Sequence, residues 1–302
     1  MRGWIIDCYP DNTNDSMVIW LRTRNGTEKI VDNSFRPAFY VWAPKEREEE
    51  LRSALRMSGF DGVTEERRRI WLGDKERRVL RIVPPSYHDL IPMARSIDRW
   101  GLYRDYMLFN VDLRMDLRYF MSHGLFPMGL LEYNGHFHHL DTPWRLDYPL
   151  PELKVAELKV DVRAKNRIPT PADPLERVVL GDDVMEGDEA SILDRLSISI
   201  RSQDPDIIVS DGGDGFYLDY LSCRASLHGI GLELGRDTGM RRSKGKSYFT
   251  YGRMVYKAPA HKMRGRVHID AAGSFMYDEA GLNGIIDLSR LSKMPLQEMS
   301  RN

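Results

Sequence analysis

The sequence predicts an α/β protein of two domains, a mixed α+β domain over 1–130 and a second α/β domain over 131–302. Short strand-like runs alternate with amphipathic helical segments along the whole chain. With 302 residues and 42% hydrophobic content, the chain can form two modest cores. Prolines at positions 143, 149 and 151 mark a stretch that would connect the two domains.

The charge balance excludes a protein that attracts nucleic acid by its overall charge. Forty-four basic residues face 45 acidic ones, a net charge of -1, so DNA would have to bind a local basic face. Cys8 and Cys223 have no metal or redox spacing and are expected to be buried, reduced thiols. With no signal-peptide pattern and no apolar run near the roughly 20 residues of a membrane span, we expect a soluble, cytoplasmic protein without a membrane partner.

The first domain should begin with strands Trp4–Tyr9 and Met17–Leu21 and an Asn25-Gly26 hairpin turn. A strand over Phe39–Trp42 should precede an amphipathic helix over 45–57. Further elements follow in order: strand Val79–Val83, helix 89–100 and helix Met115–His123, closed by Gly124.

The second domain should contain a similar alternation, with a proline-rich loop after its first strand. An acidic segment, Gly181–Glu189, is expected to be a solvent-exposed loop. The remaining elements are expected in this order: strand Leu153–Val162, strand Arg177–Leu180, helix Ala190–Gln203, strand Asp206–Ser210 and helix 216–228.

The densest chemical signal is the segment Asp204–Leu221, in which a buried strand ends in a glycine-rich turn with several carboxylates. The ends of strands in α/β sheets are the usual place for ligand chemistry, and glycines allow positive φ and close approach of a substrate. An ordinary strand-to-helix turn with an Asp N-cap is the alternative.

This segment resembles the second exonuclease motif of family B DNA polymerases. Gly213, Asp214 and Phe216 match that motif, whereas Gly212 replaces its Asn and Tyr217 replaces its metal-binding Asp. Two further runs, Leu234–Asp237 and Gly265–Asp270, match archaeal members in order and spacing. The resemblance implies a ribonuclease-H-like fold for the second domain.

The first exonuclease motif, Asp-X-Glu, would retain Asp161 but have Arg163 in place of Glu, and the third would lie beyond residue 302. Two-metal hydrolysis needs carboxylates around cations roughly 4 Å apart; an arginine repels Mg²⁺ but can pair with phosphate. The segment between the motifs is short, so we also expect an altered sheet edge. The resemblance therefore implies a degenerate site, as in inactivated archaeal polymerase B paralogues.

The first domain resembles the template-reading domain that captures uracil in archaeal family B polymerases. Apolar walls and backbone amides can read one pyrimidine edge, and bulk at C5 excludes thymine. Ala38 and Met115 replace aromatic residues, which would weaken stacking; core residues of a shared fold are the alternative. The pocket implied by the resemblance is lined by Tyr9, Pro37, Ile91, Pro92, Met115 and Arg118.

A basic stretch with interleaved aromatic residues is the best candidate for DNA contact. Cations that follow a backbone beside stacking rings are typical of single-strand binding, although basic runs also occur as plain solvated faces. The residues predicted to contact DNA are Arg241, Arg242, Lys244, Lys246, Tyr248 and Arg253.

The leading hypothesis is a DNA-binding, catalytically silent segment of a polymerase involved in replication or repair. Its partners would be single-stranded or primer-template DNA, the remaining polymerase domains or other replication proteins. No cofactor is expected here, since Mg²⁺ would serve the parent polymerase, whose palm domain is absent. The lack of a helix stop after Met299 suggests a truncated chain or a split gene.

Two other functions remain open. In the first, a relocated metal site would give a residual metal-dependent 3′→5′ exonuclease. In the second, the protein would be a non-catalytic scaffold that binds replication factors through the acidic segment Gly181–Glu189. The carboxylates that such a metal site would use are Asp161, Asp211, Asp214, Asp219 and Asp270.

Overall fold

The computed structural model describes residues 1–250 and 252–301 and divides into two compact units. The first unit comprises Met1–Cys8, Ile19–Ile30 and Gly124–Asn302, and the second comprises Tyr9–Val18 and Val31–His123. These units do not follow the expected 1–130 and 131–302 boundary, because parts of the first strands pack with residues from 124 onward. The assignment of functions to 1–130 and 131–302 stays a prediction.

Strands and helices alternate over the first 123 residues, as the hydrophobic pattern predicts. Gly124 has a φ of 68°, the left-handed conformation that commonly ends a helix, and it ends the helix predicted before it. In chain order the elements are β1 (Arg2–Asp11), β2 (Ser16–Thr23), β3 (Gly26–Asp32), β4 (Phe39–Trp42), α1 (Lys45–Met57), β5 (Val63–Arg68), β6 (Arg77–Ile82), α2 (Leu90–Trp100), β7 (Met107–Phe109) and α3 (Met115–His123).

The second unit contains a four-stranded antiparallel sheet in the order β5-β6-β4-β7. Its chain order, β4-α1-β5-β6-α2-β7, is the βαββαβ arrangement of ferredoxin-like folds. Residues from α1 and α2, including Leu51 and Ile97, form one core cluster with Phe39 and Val41 of β4. Because both helices contribute to the core on the Phe39 side, α1 and α2 do not cover the opposite face of the sheet.

The remaining elements also alternate in the predicted manner. Strands β1 and β8 pair antiparallel within a sheet ordered β3-β2-β1-β8-β9. The elements are β8 (Leu130–Tyr133), β9 (Phe137–His139), β10 (Val155–Val162), β11 (Leu175–Leu180), β12 (Asp183–Glu186), α4 (Glu189–Gln203), β13 (Ile207–Ser210), a π-helical turn (Gly213–Tyr217), α5 (Leu218–Leu227), β14 (Arg241–Ser243), β15 (Lys246–Thr250), β16 (Arg253–Lys257), β17 (Ala260–Lys262), β18 (Val267–Asp270), a 3₁₀ turn (Ala271–Gly273), α6 (Phe275–Ser292) and α7 (Leu296–Met299).

A second five-stranded sheet has the order β12-β11-β10-β13-β18. Strands β10, β11 and β12 are antiparallel neighbours, whereas β13 and β18 run parallel to β10. This is the ribonuclease-H-like arrangement, which confirms the predicted fold class. Helices α4 and α5 cover one face, where Ile192, Leu196 and Leu221 share a core with Leu158 and Val178.

Two expectations about the edge of this sheet are wrong. The acidic segment Gly181–Glu189 is largely exposed, as expected, but it is not a loop, because Asp183–Glu186 pairs with β11 as the edge strand and Met185 is buried. Asp188 then caps α4 by accepting a hydrogen bond from the Ser191 amide at 3.0 Å. The sheet edge is therefore complete, since a turn at Gly181, with a φ of 57°, brings this short strand back onto β11.

Cysteine placement corrects one further expectation: Cys8 is buried, but Cys223 is exposed. Across residues 1–250 and 252–301, every helix is too short or too polar to traverse a lipid bilayer.

Candidate nucleic-acid-binding sites

The carboxyl ends of the parallel strands β10, β13 and β18 meet at one edge of the ribonuclease-H-like sheet, which we call the carboxylate edge. In the register of these strands, Leu158 lies beside Ser210 and Ser210 beside Asp270. Asp161 follows three residues after Leu158, and Asp211 directly follows β13. The topology therefore brings the predicted exonuclease positions to the place where α/β sheets carry ligand chemistry.

Asp270 holds the glycine-rich turn in shape. Its two carboxylate oxygens accept hydrogen bonds from the Gly212 and Asp214 amides, each at 2.8 Å. Gly212 adopts a φ of 82°, and a Cβ on Gly213 would lie 2.1 Å from the Ser210 hydroxyl oxygen. Both glycines are needed locally, and no side chain caps the π-helical turn that follows, so the Asp N-cap alternative does not apply.

Asp214 is buried within a polar network. Arg301 donates to both of its oxygens, at 2.7 and 3.0 Å, and the His261 amide donates at 2.7 Å. Burial alone would raise the pKa of Asp214, but hydrogen bonds from His268 and Arg301 and the charge of Arg301 hold that pKa below its ordinary value. No sequence pattern predicted Arg301, which lies 87 positions from Asp214 and outside every recognised motif.

Asp161 and Arg163 lie on the exposed side of β10, each paired with a residue of β11. Arg177 lies 3.1 Å from Asp161, and Glu176 lies 3.5 Å from Arg163. Together with Tyr217 these side chains line an open cavity of about 880 Å³. The structure thus brings three of the predicted exonuclease positions, Asp161, Arg163 and Tyr217, to one cavity, while Gly212 and Asp214 lie in the turn beside it.

The carboxylates of the carboxylate edge do not fit a pair of divalent cations. Within residues 1–250 and 252–301, no three metal-binding side chains converge on one point. Asp214 and Asp270 are committed to Arg301 and to backbone amides, and Asp219 contacts His261 at 3.0 Å and Arg242 at 3.3 Å. Two-metal catalysis needs several carboxylates aimed at the same ions, whereas these three carboxylates contact arginine and histidine side chains and backbone amides.

The residues predicted to contact DNA are divided between two small sheets. On β14, Arg241 lies 3.6 Å from Asp7 and Arg242 pairs with Asp219, so both charges are partly neutralised. Lys246, Tyr248 and Arg253 belong to the β15–β16 hairpin, whose register pairs Thr250 with Arg253. These three residues therefore share one face of the hairpin.

The opposite face of this hairpin is apolar and exposed, with Phe249, Met254 and Tyr256. Lys244, which lies between β14 and β15, is also exposed. The hairpin thus combines a cationic face with aromatic rings on which bases could stack. Arg241 and Arg242, which were also expected to contact DNA, lie on β14 and not on this hairpin.

The residues of the implied uracil pocket all lie in the second unit, with Arg118 at the best-defined position. Its Nε donates to the Leu113 carbonyl at 2.9 Å and its Nη1 donates to the Ala38 carbonyl at 2.7 Å, which places it beside Pro37. Its Nη2 is buried without a hydrogen-bond partner among the described residues, and burial lowers the pKa of this guanidinium.

The other pocket positions differ in exposure. Tyr9 is 1% exposed and Ile91 is 38% exposed, whereas Pro92 is exposed in the first turn of α2 and Met115, at the start of α3, is half-buried. A fully buried tyrosine is compatible with the alternative that this residue is part of the core.

Two arginines from the recognised downstream motifs have structural roles. Arg236 donates to Asp204 and Asp206 at 2.8 Å each, and the buried Arg266 donates to the Pro205 carbonyl at 2.5 Å and to Asp204 at 2.9 Å. Both side chains hold the segment Asp204–Asp206, which leads into β13, by hydrogen bonds, so these motifs stabilise the sheet.

Comparison with known proteins supports the assignment suggested by these motifs. Residues 159–280 match the family model of the DNA polymerase family B exonuclease domain. The DNA polymerase of Archaeoglobus fulgidus is 24% identical over 97% of this chain and 37% of its own length, and that of Methanocaldococcus jannaschii is 24% identical over 88% and 16%.

A solved structure gives the same result for the fold. The family B DNA polymerase from Pyrobaculum calidifontis superposes with a TM-score of 0.76 and 19% identity, over 100% of this chain and 48% of that one. The chain thus spans less than half of each of these polymerases. Residues 159–280 are therefore similar to the exonuclease domain of family B DNA polymerases, and most of the chain is similar in sequence to archaeal DNA polymerases.

Proposed function

We propose that this chain binds DNA through its exonuclease domain without hydrolysing it, as part of a polymerase that acts in replication or repair. The observation that carries the proposal is the position of arginines at the carboxylate edge. Arg177 lies 3.1 Å from Asp161 and Arg301 lies 2.7 Å from Asp214, so cationic side chains already neutralise the carboxylates that a metal would need.

The electrostatics favour phosphate over metal at this edge. A divalent cation would have to displace both arginines and would be repelled by Arg163, whose side chain is exposed. The same guanidinium can bind a phosphate oxygen pair, and Arg167 lines the same cavity. Tyr217 supplies a ring on which an unpaired base could stack, an interaction worth about 1–3 kcal/mol.

Binding and hydrolysis are separable in one experiment. Fluorescence anisotropy with labelled single-stranded DNA, without metal and across a salt series, should give salt-dependent binding that Arg163→Glu with Arg167→Glu weakens. In Mg²⁺ or Mn²⁺, nucleotide release should not exceed that of an Asp161→Ala, Tyr217→Ala control. Release that depends on metal and disappears in Asp161→Ala would instead establish the residual exonuclease.

A second candidate function is recognition of uracil in template DNA. The unpartnered, buried Nη2 of Arg118 favours it, because a buried donor without an acceptor is costly and a pyrimidine carbonyl could accept from it. Oligonucleotides with uracil or thymine at one position should show a uracil preference that Arg118→Lys or Tyr9→Phe reduces. Equal affinity of the wild-type protein for both oligonucleotides would exclude this function, and circular dichroism checks that each variant is folded.

The scaffold hypothesis has less support from the contacts of Gly181–Glu189. Asp183 accepts from Ser199 at 2.5 Å and Gln203 at 2.7 Å, and Glu189 pairs with Arg224. These carboxylates stabilise the domain itself, so a partner would have to recognise mainly Asp182 and Glu186.

A further inference from the structure

The four-stranded sheet of the second unit has a face that the helices α1 and α2 do not cover. Phe39 and Val41 point into the helical core, so Tyr40 and Trp42 lie on the opposite face. The register places Arg81 and Phe109 beside Tyr40, and Arg68 beside Arg77. We call the surface formed by Tyr40, Trp42, Arg68, Arg77, Arg81 and Phe109 the open face.

The open face combines aromatic rings with exposed positive charge. The Arg68 guanidinium carbon lies 5.7 Å from the centre of the Tyr40 ring, and that of Arg77 lies 5.7 Å from the Trp42 ring. Their side chains remain 56% and 50% exposed. Cation–π contact holds each guanidinium over a ring, while about half of each arginine side chain remains in solvent.

Negative charge is sparse on this face. Glu66, which faces the same way as Arg68, pairs with Arg68 and lies 3.5 Å from Arg81. Arg77 is 3.5 Å from Asp74 in the loop after β5, a weak and exposed contact. Positive charge therefore exceeds negative charge across the open face.

The loop between β5 and β6 extends the same chemistry. Trp71 is 62% exposed, and Arg69 beside it is also exposed. A large aromatic side chain in solvent next to arginines offers another stacking ring at the end of the hairpin.

We propose that the open face binds single-stranded nucleic acid, with Arg68 and Arg77 turning from the rings to hold phosphates while bases stack on Tyr40 and Trp42 in their place. A flat sheet can offer its rings only to bases that are not already stacked in a duplex. Four-stranded sheets with aromatic residues on their inner strands bind single strands in this manner, and β4 is an inner strand here. The site shares no residue with the carboxylate edge or with the implied uracil pocket.

Charge reversal tests the electrostatic half of this proposal. Arg68→Glu with Arg77→Glu should weaken binding of labelled dT12 and rU12 to the full chain at least about tenfold and lower the salt slope by about 1.4, two contacts of roughly 0.7 each. The matched control, Arg56→Glu with Arg99→Glu on α1 and α2, makes the same change in net charge away from the face. An equal loss of oligonucleotide affinity in the two double variants would overturn the proposal.

Ring substitution tests the stacking half. Trp42→Phe keeps a ring and should change affinity less than about threefold, whereas Trp42→Leu should lose about 5- to 100-fold, with thermal melting to confirm folding. Ultraviolet cross-linking should label peptides that contain Tyr40, Trp42 or Trp71. Cross-links confined to β15–β16 or to the carboxylate edge would overturn the proposal and leave the exonuclease-domain proposal standing.

The two oligonucleotides identify the sugar. Equal losses for dT12 and rU12 in the Arg68→Glu, Arg77→Glu variant assign the open face to single strands of either type. Where only one of them loses affinity, dU12, which has the base of rU12 and the sugar of dT12, separates base from sugar, and a difference between dU12 and rU12 assigns the face to DNA or to RNA.

Discussion

Arginines dominate both the carboxylate edge and the open face, but their partners differ. At the carboxylate edge, Arg301 is 10% exposed and bonded to the buried Asp214. On the open face, Arg68 and Arg77 lie over aromatic rings and keep half of their surface in solvent. An arginine bonded to a buried carboxylate is committed to the fold, whereas one that lies over a ring keeps much of its side chain in solvent.

The largest expected effect comes from Arg301→Ala. Removal of one partner of a buried pair leaves an uncompensated charge and costs about 3–5 kcal/mol, so the urea midpoint should fall strongly. The control is Arg77→Ala on the open face, where an exposed contact is worth less than about 1 kcal/mol. A similar loss of stability in the two variants would show that the buried pair at the carboxylate edge is worth no more than the exposed contact on the open face.

The second effect concerns the stability of the protein at acid pH. It depends on Glu189, at the start of α4, which is hydrogen-bonded to Arg224 and His228. Burial alone would raise the pKa of Glu189, but hydrogen bonds from Arg224 and His228 lower it from 4.5 to about 2. A depressed pKa stabilises the fold above pH 4.5, and this stabilisation is lost as the pH falls towards 2.

Glu189→Gln should therefore lower the free energy of unfolding at pH 7 by up to about 3 kcal/mol. In this variant the free energy of unfolding should also fall less steeply between pH 5 and pH 2 than it does in the wild-type protein. Denaturant titration at several pH values measures both. Glu66→Gln on the open face is the control, and an acid profile unchanged by Glu189→Gln would contradict the assignment.

A third and smaller effect concerns the glycine-rich turn. Gly213→Ala would place a Cβ 2.1 Å from the Ser210 oxygen and 2.9 Å from His268, which should cost about 1–3 kcal/mol. Gly215→Ala is matched in chemistry, but its Cβ meets no atom within 4 Å. Thermal melts that show equal stability for the two variants would mean that the turn relaxes without cost.

The smallest effect is a gain of metal binding. Arg163→Glu with Tyr217→Asp adds two carboxylates to the cavity that contains Asp161, and we expect only weak Mn²⁺ binding, with a Kd of about 1 mM. Electron paramagnetic resonance can detect this binding, and Arg68→Glu on the open face should give none. No gain in the first variant would show that Arg177 and Arg301 suffice to exclude the ion.

Periodicity predicts the elements that bury an apolar face, but not the charged edge strands. The helix over 45–57 and the strands β10 and β13 carry clear patterns and form where expected. Strand β5, with the sequence VTEERR, and β12, with DVME, have few apolar residues. Each forms because its neighbour supplies a row of unpaired backbone groups, which is information that a local pattern does not contain.

The candidate site shows the same limit. The motif positions Asp161, Arg163 and Tyr217 were found from the sequence, because each lies in a recognisable run. The structural roles of Asp270 and Arg301 were missed, because each depends on a partner 56 to 87 positions away in the chain. Which carboxylates remain available to a ligand is decided by these distant contacts.

The contacts of α7 also have a consequence for the order of folding. Gln297 accepts from the Met263 amide at 2.9 Å and from the His268 amide at 3.2 Å, and Arg301 reaches Asp214. Contacts between such distant positions form late and slow the search for the native state. During synthesis, the glycine-rich turn would therefore keep an uncompensated carboxylate until α7 and Arg301 have left the ribosome.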